Sequence, residues 1–274
     1  MIAILVLLPF AILELGLRVL GIGGSIVYVE DPNCGYRPKP SQKFSTLGYP
    51  IEILDNGYRG PVRQSDTLFI GDSVTYGCAF IRDEDTFAAL LKGMNAGVNG
   101  WGIQNVAQFL KKTKLVGVKR VVLTVPSCDV LRPFITLRNG LISTNRRMYL
   151  RIEYLFRFIW YGKIRTEPAP IIPTEYDKNL AAILEVNQLL KSKGVEFVTV
   201  FLPYRDEAEG KTVIETPYVA RMIDALRKQG IRCIQCMPTS NVPALYRDAA
   251  HLSPEGHRWF AECLRKQLQI GDTR

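Results

Sequence analysis

Histidine is nearly missing from this chain: two among 274 residues, His251 and His257. A site built on several imidazoles is excluded, and any imidazole base must be one of these two. Paired cysteine clusters are missing too. Cys233-Ile-Gln-Cys236 has the spacing of a metal or redox pair, but no second such pair and no nearby histidine accompany it, which argues against zinc. The pair sits in a stretch that reads as a strand, Ile231 to Met237. Residues three apart on a strand face opposite sides, so both cysteines read as small buried hydrophobes. Internal repeats and low-complexity tracts are absent, which excludes long disordered segments. No nucleic-acid-binding motif occurs. The net charge of +9 therefore points to a phospholipid surface or an acidic polysaccharide rather than to nucleic acid.

Basic residues are absent before Arg18, where a secretory leader would carry them. What stands there is an almost wholly apolar run from Met1 to Leu13, interrupted by Glu14 and Arg18 and continued to Ile22. It reads as a membrane anchor over 1–24, with the two charges near one interface. Residues 25–62 are rich in proline, glycine and polar side chains, and read as an extended linker and lead-in loop. The remainder, 63–274, is long enough for one α/β domain.

That domain opens on Thr67-Leu68-Phe69-Ile70-Gly71-Asp72-Ser73. The apolar run predicts a buried strand, and Gly71 permits a sharp turn after it. Ser73 then falls past the strand end, where ligands bind in open α/β sheets. Its hydroxyl needs a base to act as a nucleophile. Far along the chain, Asp248-Ala-Ala-His251 supplies a carboxylate three residues before an imidazole, just ahead of a helix opened by Pro254. His257, at the start of that helix, reads as structural. Between these motifs, helix and strand alternate. Met94 to Gly102 reads as a short strand ending in a glycine loop, and strands are predicted at Val121–Val125 and Val195–Pro203; helices are predicted over Gln104–Lys114, Asp177–Lys193 and Thr216–Lys228. The alternation argues a three-layer α/β/α domain around a mostly parallel sheet, with the N-terminal apolar helix added to it. Residues 131–173 interrupt the pattern. Within them, Arg146 to Tyr161 interleaves arginine with aromatics, and Glu153 is the sole acid. A helix of this kind suits a membrane surface, a lid over the site, or ordinary packing on the core.

Gly71-Asp72-Ser73 near the first strand of the domain, together with Asp248-x-x-His251-Leu-Ser-Pro-Glu-Gly-His near the C-terminus, resembles the SGNH (GDSL-type) hydrolase superfamily. More narrowly, the apolar N-terminus resembles the bacterial membrane-anchored members. The chain order Ser…Asp…His also occurs in α/β-hydrolases, but Thr75 stands where their Gly-x-Ser-x-Gly needs its second glycine.

The resemblance implies a flavodoxin-like sheet and a serine esterase or acylhydrolase. Ser73 would be the nucleophile, His251 the base and Asp248 its orienting carboxylate. The backbone N–H groups of Ser73 and Gly100 would hold the oxyanion. The family's third block, Gly-x-Asn-Asp, falls on Pro126-Ser127-Cys128-Asp129. Cys128 thus stands where the family has an oxyanion asparagine. A thiol is a weak donor, and losing one such donor costs on the order of 100- to 1000-fold in turnover. Asn99 and Asn105 are the nearby amides that could replace it. The implied partners are an ester substrate on a glycan or lipid, such as O-acetyl groups of an envelope glycan, and the membrane through the N-terminal segment. No cofactor and no metal are implied, and the domain would lie outside the cytoplasm. The same machinery serves an O-acyltransferase. The loss at Cys128 opens a third reading, a non-catalytic glycan-binding or assembly component.

Overall fold

The computed structural model describes the backbone of residues 2–137, 144–163 and 171–269. Helix α1 (Ile2–Val19) leads into two antiparallel hairpins, β1 (Tyr28–Asp31) with β2 (Gly35–Pro38), and β3 (Gln42–Ser45) with β4 (Pro50–Ile53). The main sheet starts at β5 (Thr67–Gly71). Then follow α2 (Ser73–Tyr76), α3 (Phe87–Leu90), β6 (Met94–Gly97), α4 (Ile103–Lys112) and β7 (Arg120–Pro126). After α5 (Arg151–Lys163) come α6 (Tyr176–Ser192), β8 (Glu196–Leu202), α7 (Arg205–Ala208), α8 (Thr216–Lys228), β9 (Arg232–Gln235), α9 (Val242–Leu245) and α10 (Pro254–Leu268).

Five strands pair in parallel in the order β6-β5-β7-β8-β9. Parallel sheets are buried on both faces, and alternate side chains of each strand face opposite layers. Ile70, Leu123 and Phe197 pack with Val106 of α4, Ile183 of α6 and Met222 of α8. Their neighbours Phe69, Val122 and Val198 pack with Phe87 of α3 and with Phe260 and Leu264 of α10. Helices on both faces give the three layers that alternation predicted. The chain runs from β5 to β6 on one side, and later from β6 across to β7 on the other. The strand order therefore reverses at β5, and the crevice such a reversal opens lies at the C-terminal ends of these strands.

Two expectations are corrected. Residues 25–62 are not an extended linker: Tyr28, Tyr36, Ile51 and Ile53 of the hairpins are buried in the main core. Arg59 bridges onto Asn95 of β6 through its backbone. The spanning anchor is not found either. Among the described residues no helix is long and apolar enough to cross a membrane. Helix α1 carries Pro9 inside it, and its charges point to protein. Glu14 Oε2 accepts from the Ile152 N–H at 2.9 Å, and Arg18 donates to Tyr149 O at 2.6 Å. The aromatic-basic stretch does contain a helix, α5, and it packs on α1.

Candidate active site

Ser73 is the first residue of α2, directly after β5. The turn before it needs glycine: a Cβ on Gly71 would lie 2.5 Å from Thr75 Oγ1 and 2.8 Å from Thr124 O. Asp72 caps the helix, its Oδ1 accepting from the Val74 N–H at 2.8 Å. Caps of this kind hold the first turn in place, and with it the Ser73 side chain.

His251 comes from the loop before α10. An isolated bridge, Tyr246 to Leu252, closes that loop. Asp248 fixes it further, with Oδ1 accepting from the N–H groups of Ala250 and His251 at 2.9 and 2.8 Å. The result is a hydrogen-bonded line: Ser73 Oγ to His251 Nε2 at 2.9 Å, and His251 Nδ1 to Asp248 Oδ2 at 2.8 Å. With the Nδ1–H donating to the carboxylate, Nε2 is left as acceptor for the serine proton. All three residues singled out from the sequence are thus brought together. A hydroxyl, an imidazole and a carboxylate so linked can form and break an acyl-enzyme.

Electrostatics couple the imidazole to its partners. Burial alone would lower the His251 pKa. Hydrogen bonds and charge from Asp248 and Cys78 outweigh it and raise it. Burial would raise Asp248, yet the His251 imidazole and the two backbone N–H groups hold it at about 2. Water reaches Asp248, which is 52% exposed, and screens the pair. The mouth beside His251 carries Phe80, edge-on to the imidazole, with Arg247 stacked over Phe80.

Of the three residues expected to face an oxyanion, Ser73, Gly100 and Cys128, the last has its S–H engaged elsewhere. Gly100 lies at φ +82°, and a Cβ there would meet Tyr36 Oη at 2.8 Å, so glycine is required. Among the described residues its N–H donates to no acceptor. Ser73 N–H stands at a helix start, where no intrahelical acceptor exists. Cys128 follows β7 as expected, but its S–H points to Asp129 Oδ1 at 3.4 Å. Burial pushes the thiol pKa upward, so it stays protonated. Both nearby amides are engaged elsewhere, Asn105 through both of its N–H groups and Asn99 through one. Asn99 Nδ2 donates to Tyr28 Oη, and Asn105 Nδ2 donates to the carbonyls of Cys34 and Ile135.

Sequence reading missed Arg132, which opens the interrupting segment and turns back into the site. Its guanidinium donates to Trp101 O at 2.9 Å and to Cys128 Sγ at 2.8 Å. It also pairs with Asp129 Oδ1 at 3.0 Å and Asp72 Oδ2 at 3.6 Å. Burial works against its charge, but the two carboxylates hold it protonated. Arg132 therefore ties together the glycine loop, the turn after β7 and the cap beside Ser73. Tyr204, after β8, contacts Cys128. An arginine at a segment boundary carries no sequence signal of burial; only two acids on different turns, converging in space, create its site.

No family model matches this chain, and no curated protein matches it. Solved structures similar to it include a GDSL-like lipase from Bacteroides thetaiotaomicron, 14% identical, covering 74% of this chain and 87% of that one, TM-score 0.45. An acetyl xylan esterase is 16% identical, covering 74% of this chain and 98% of that one, TM-score 0.47. The psychrotrophic esterase EstA from Pseudoalteromonas sp. is 8% identical, covering 75% and 97%, TM-score 0.45.

Proposed function

We propose that this chain is a serine esterase acting through Ser73, His251 and Asp248. The observation that carries the reading is the 2.9 Å contact from Ser73 Oγ to His251 Nε2, backed at 2.8 Å by Asp248. Ser73 Oγ attacks the ester carbonyl while His251 Nε2 takes its proton. The carbonyl oxygen becomes the oxyanion, held by the N–H groups of Ser73 and Gly100. The tetrahedral adduct collapses, the ester C–O bond breaks, and the leaving alkoxide takes the proton from His251. Water then attacks the acyl-enzyme by the same route, releasing the acid and restoring Ser73.

With Cys128 turned to Asp129, the oxyanion lacks a third donor, so turnover is modest. His251 and Asp248 are part-exposed, an openness that suits an ester carried on a polymer, such as an O-acetylated envelope glycan. A sugar hydroxyl entering in place of water gives the O-acyltransferase outcome. A disulfide between Cys236 and Cys263 favours an oxidising compartment outside the cytoplasm.

Turnover of p-nitrophenyl acetate tests the reading. Ser73→Ala is expected to abolish hydrolysis while the domain stays folded by circular dichroism. Equal rates in wild type and Ser73→Ala would overturn the esterase. A folded wild type without turnover would leave the glycan-binding reading. Acetyl transfer to an added sugar, lost in Ser73→Ala, would mark the transferase.

A further inference from the structure

Away from the Ser73 site lies a cavity of about 530 Å3 beneath the junction of α1, the β3 segment and the chain leading into α5. Five cationic side chains line it: Arg18, Lys39, Lys43, Arg147 and Arg151. Among the described residues no aspartate or glutamate does. Arg18 and Lys43 reach Glu14 and Glu52, which lie outside the lining. Lys39, Arg147 and Arg151 form no ion pair among the described residues. Arg151 is partly buried, and besides that burial its neighbours Arg18 and Arg147 pull its pKa down, against Glu14. Like charges thus crowd one another there. Ser25, also in the lining, has a buried hydroxyl with no hydrogen-bond partner among the described residues. An anionic group would relieve the repulsion and accept from the hydroxyl together.

The two helices beside this cavity leave apolar faces uncovered. On α1, Leu8, Ile12, Leu15 and Val19, spaced four, three and four apart, share one face, and Leu7, Phe10 and Leu13 widen the exposed apolar surface around it. On α5, Phe156, Ile159 and Trp160 share one face, Phe158 is exposed beside them, and Trp160 is 67% exposed. Isolated exposed hydrophobes are ordinary, but this much exposed apolar surface on two packed helices marks an interaction surface. Its chemistry selects the partner. Apolar stripes beside a cationic pocket that is only partly neutralised match the two layers of a lipid surface: acyl chains for the stripes, phosphate for the pocket.

We propose that α1, α5 and the cationic cavity between them form a docking surface for a membrane bearing anionic phospholipid. The protein lies on the bilayer without crossing it. The headgroup phosphate sits among Arg18, Lys39, Lys43, Arg147 and Arg151, and the stripes enter the headgroup–acyl boundary. This surface is separate from the proposed esterase site and does not depend on it.

Vesicle co-sedimentation of the full chain tests the proposal, comparing phosphatidylcholine alone with phosphatidylcholine containing about 30% phosphatidylglycerol. Binding is expected only to the anionic vesicles, with a blue shift of Trp160 emission that Trp160→Phe removes. The triple variant Lys39→Gln/Lys43→Gln/Arg147→Gln changes exposed side chains only. It is expected to bind on the order of 100-fold more weakly, about fivefold per charge. Its circular dichroism and thermal unfolding should stay at the wild-type level, which reports that it folds. Ile12→Asn/Trp160→Ser should weaken vesicle binding through the other layer. Equal binding to both vesicle types would overturn the anionic pocket. So would vesicle affinity unchanged in the triple variant. Saturable binding of inorganic phosphate or alginate, with no vesicle binding, would reassign the cavity to a soluble anion or an acidic polysaccharide. Self-association through the stripes, seen by sedimentation velocity and again without vesicle binding, would reassign the patch to a second copy of this chain.

Discussion

Ser73 and His251 stand 178 residues apart in the chain and 2.9 Å apart in space. Their chemistry fixes a pH dependence. The base must be neutral to take the serine proton, and Asp248 raises the His251 pKa. Activity is therefore expected to climb with pH through a limb above the ordinary histidine value of about 6.5. Asp248→Asn removes the carboxylate charge. The limb should move to lower pH while kcat falls by roughly four orders of magnitude. A kcat/KM profile of both proteins checks this, and a limb that does not move would contradict it. Cys128 gives a second prediction. Cys128→Asn places an amide where the thiol now serves Asp129. Ester turnover should rise, by about 10-fold or more if the amide reaches the oxyanion. An unchanged rate would mean that Arg132 and its carboxylates hold that turn too far from the substrate. His257 tests stability instead. It is 1% exposed, stacked on Phe87, with Nδ1 accepting from the Phe87 N–H. Burial, helped by the charges of Arg59 and His251, holds its pKa at about 3. A depressed histidine stabilises the fold fully above its unfolded pKa and loses that contribution as pH falls. Urea unfolding is expected to show a loss of about 2 kcal/mol between pH 7 and pH 5 from this group. His257→Gln should flatten that slope.

Among the elements, the loop after Ser73 is held from outside the main sheet. Arg59, fully buried, donates to Asp83 Oδ1 at 2.7 Å and to the carbonyls of Tyr76, Cys78 and Ile81. Its guanidinium also stacks on Tyr76. Arg59→Met would strand the Asp83 charge and three carbonyls, costing about 3–5 kcal/mol by chemical denaturation. The sequence presented this arginine only as part of the linker and lead-in loop over residues 25–62. Its partners are mostly backbone carbonyls, which leave no mark in side-chain pattern. The disulfide was hidden for a related reason. Cys236 paired by spacing with Cys233, but the chain brings it to Cys263 of α10 instead. Cys233 remains a free thiol near Thr199, while Cys236 is covalently tied rather than a simple buried hydrophobe. Closing a loop of this length is worth about 3.5 kcal/mol, so reduction should lower unfolding stability by that order.

For the molecule as a whole, the main sheet and its helices were legible because apolar period and β-branched runs agree locally. Predicted strands and helices fall within a few residues of those observed, from Arg120–Pro126 to Thr216–Lys228. The meeting of Ser73 with Asp248 and His251 was legible from motif alone. The hairpins over residues 28–53 were not, since proline, glycine and polar residues mask buried Tyr28, Tyr36, Ile51 and Ile53. The N-terminal run misled in the other direction: its apolar length suggested a span, while Glu14 and Arg18 bind the chain around α5.

Fluorophosphonate trapping followed by peptide mass mapping addresses the activated hydroxyl most directly. One phosphonyl adduct is expected, on the peptide carrying Ser73, and its rate should collapse in His251→Ala. Labelling of another residue, or an undiminished rate without the imidazole, would contradict the account.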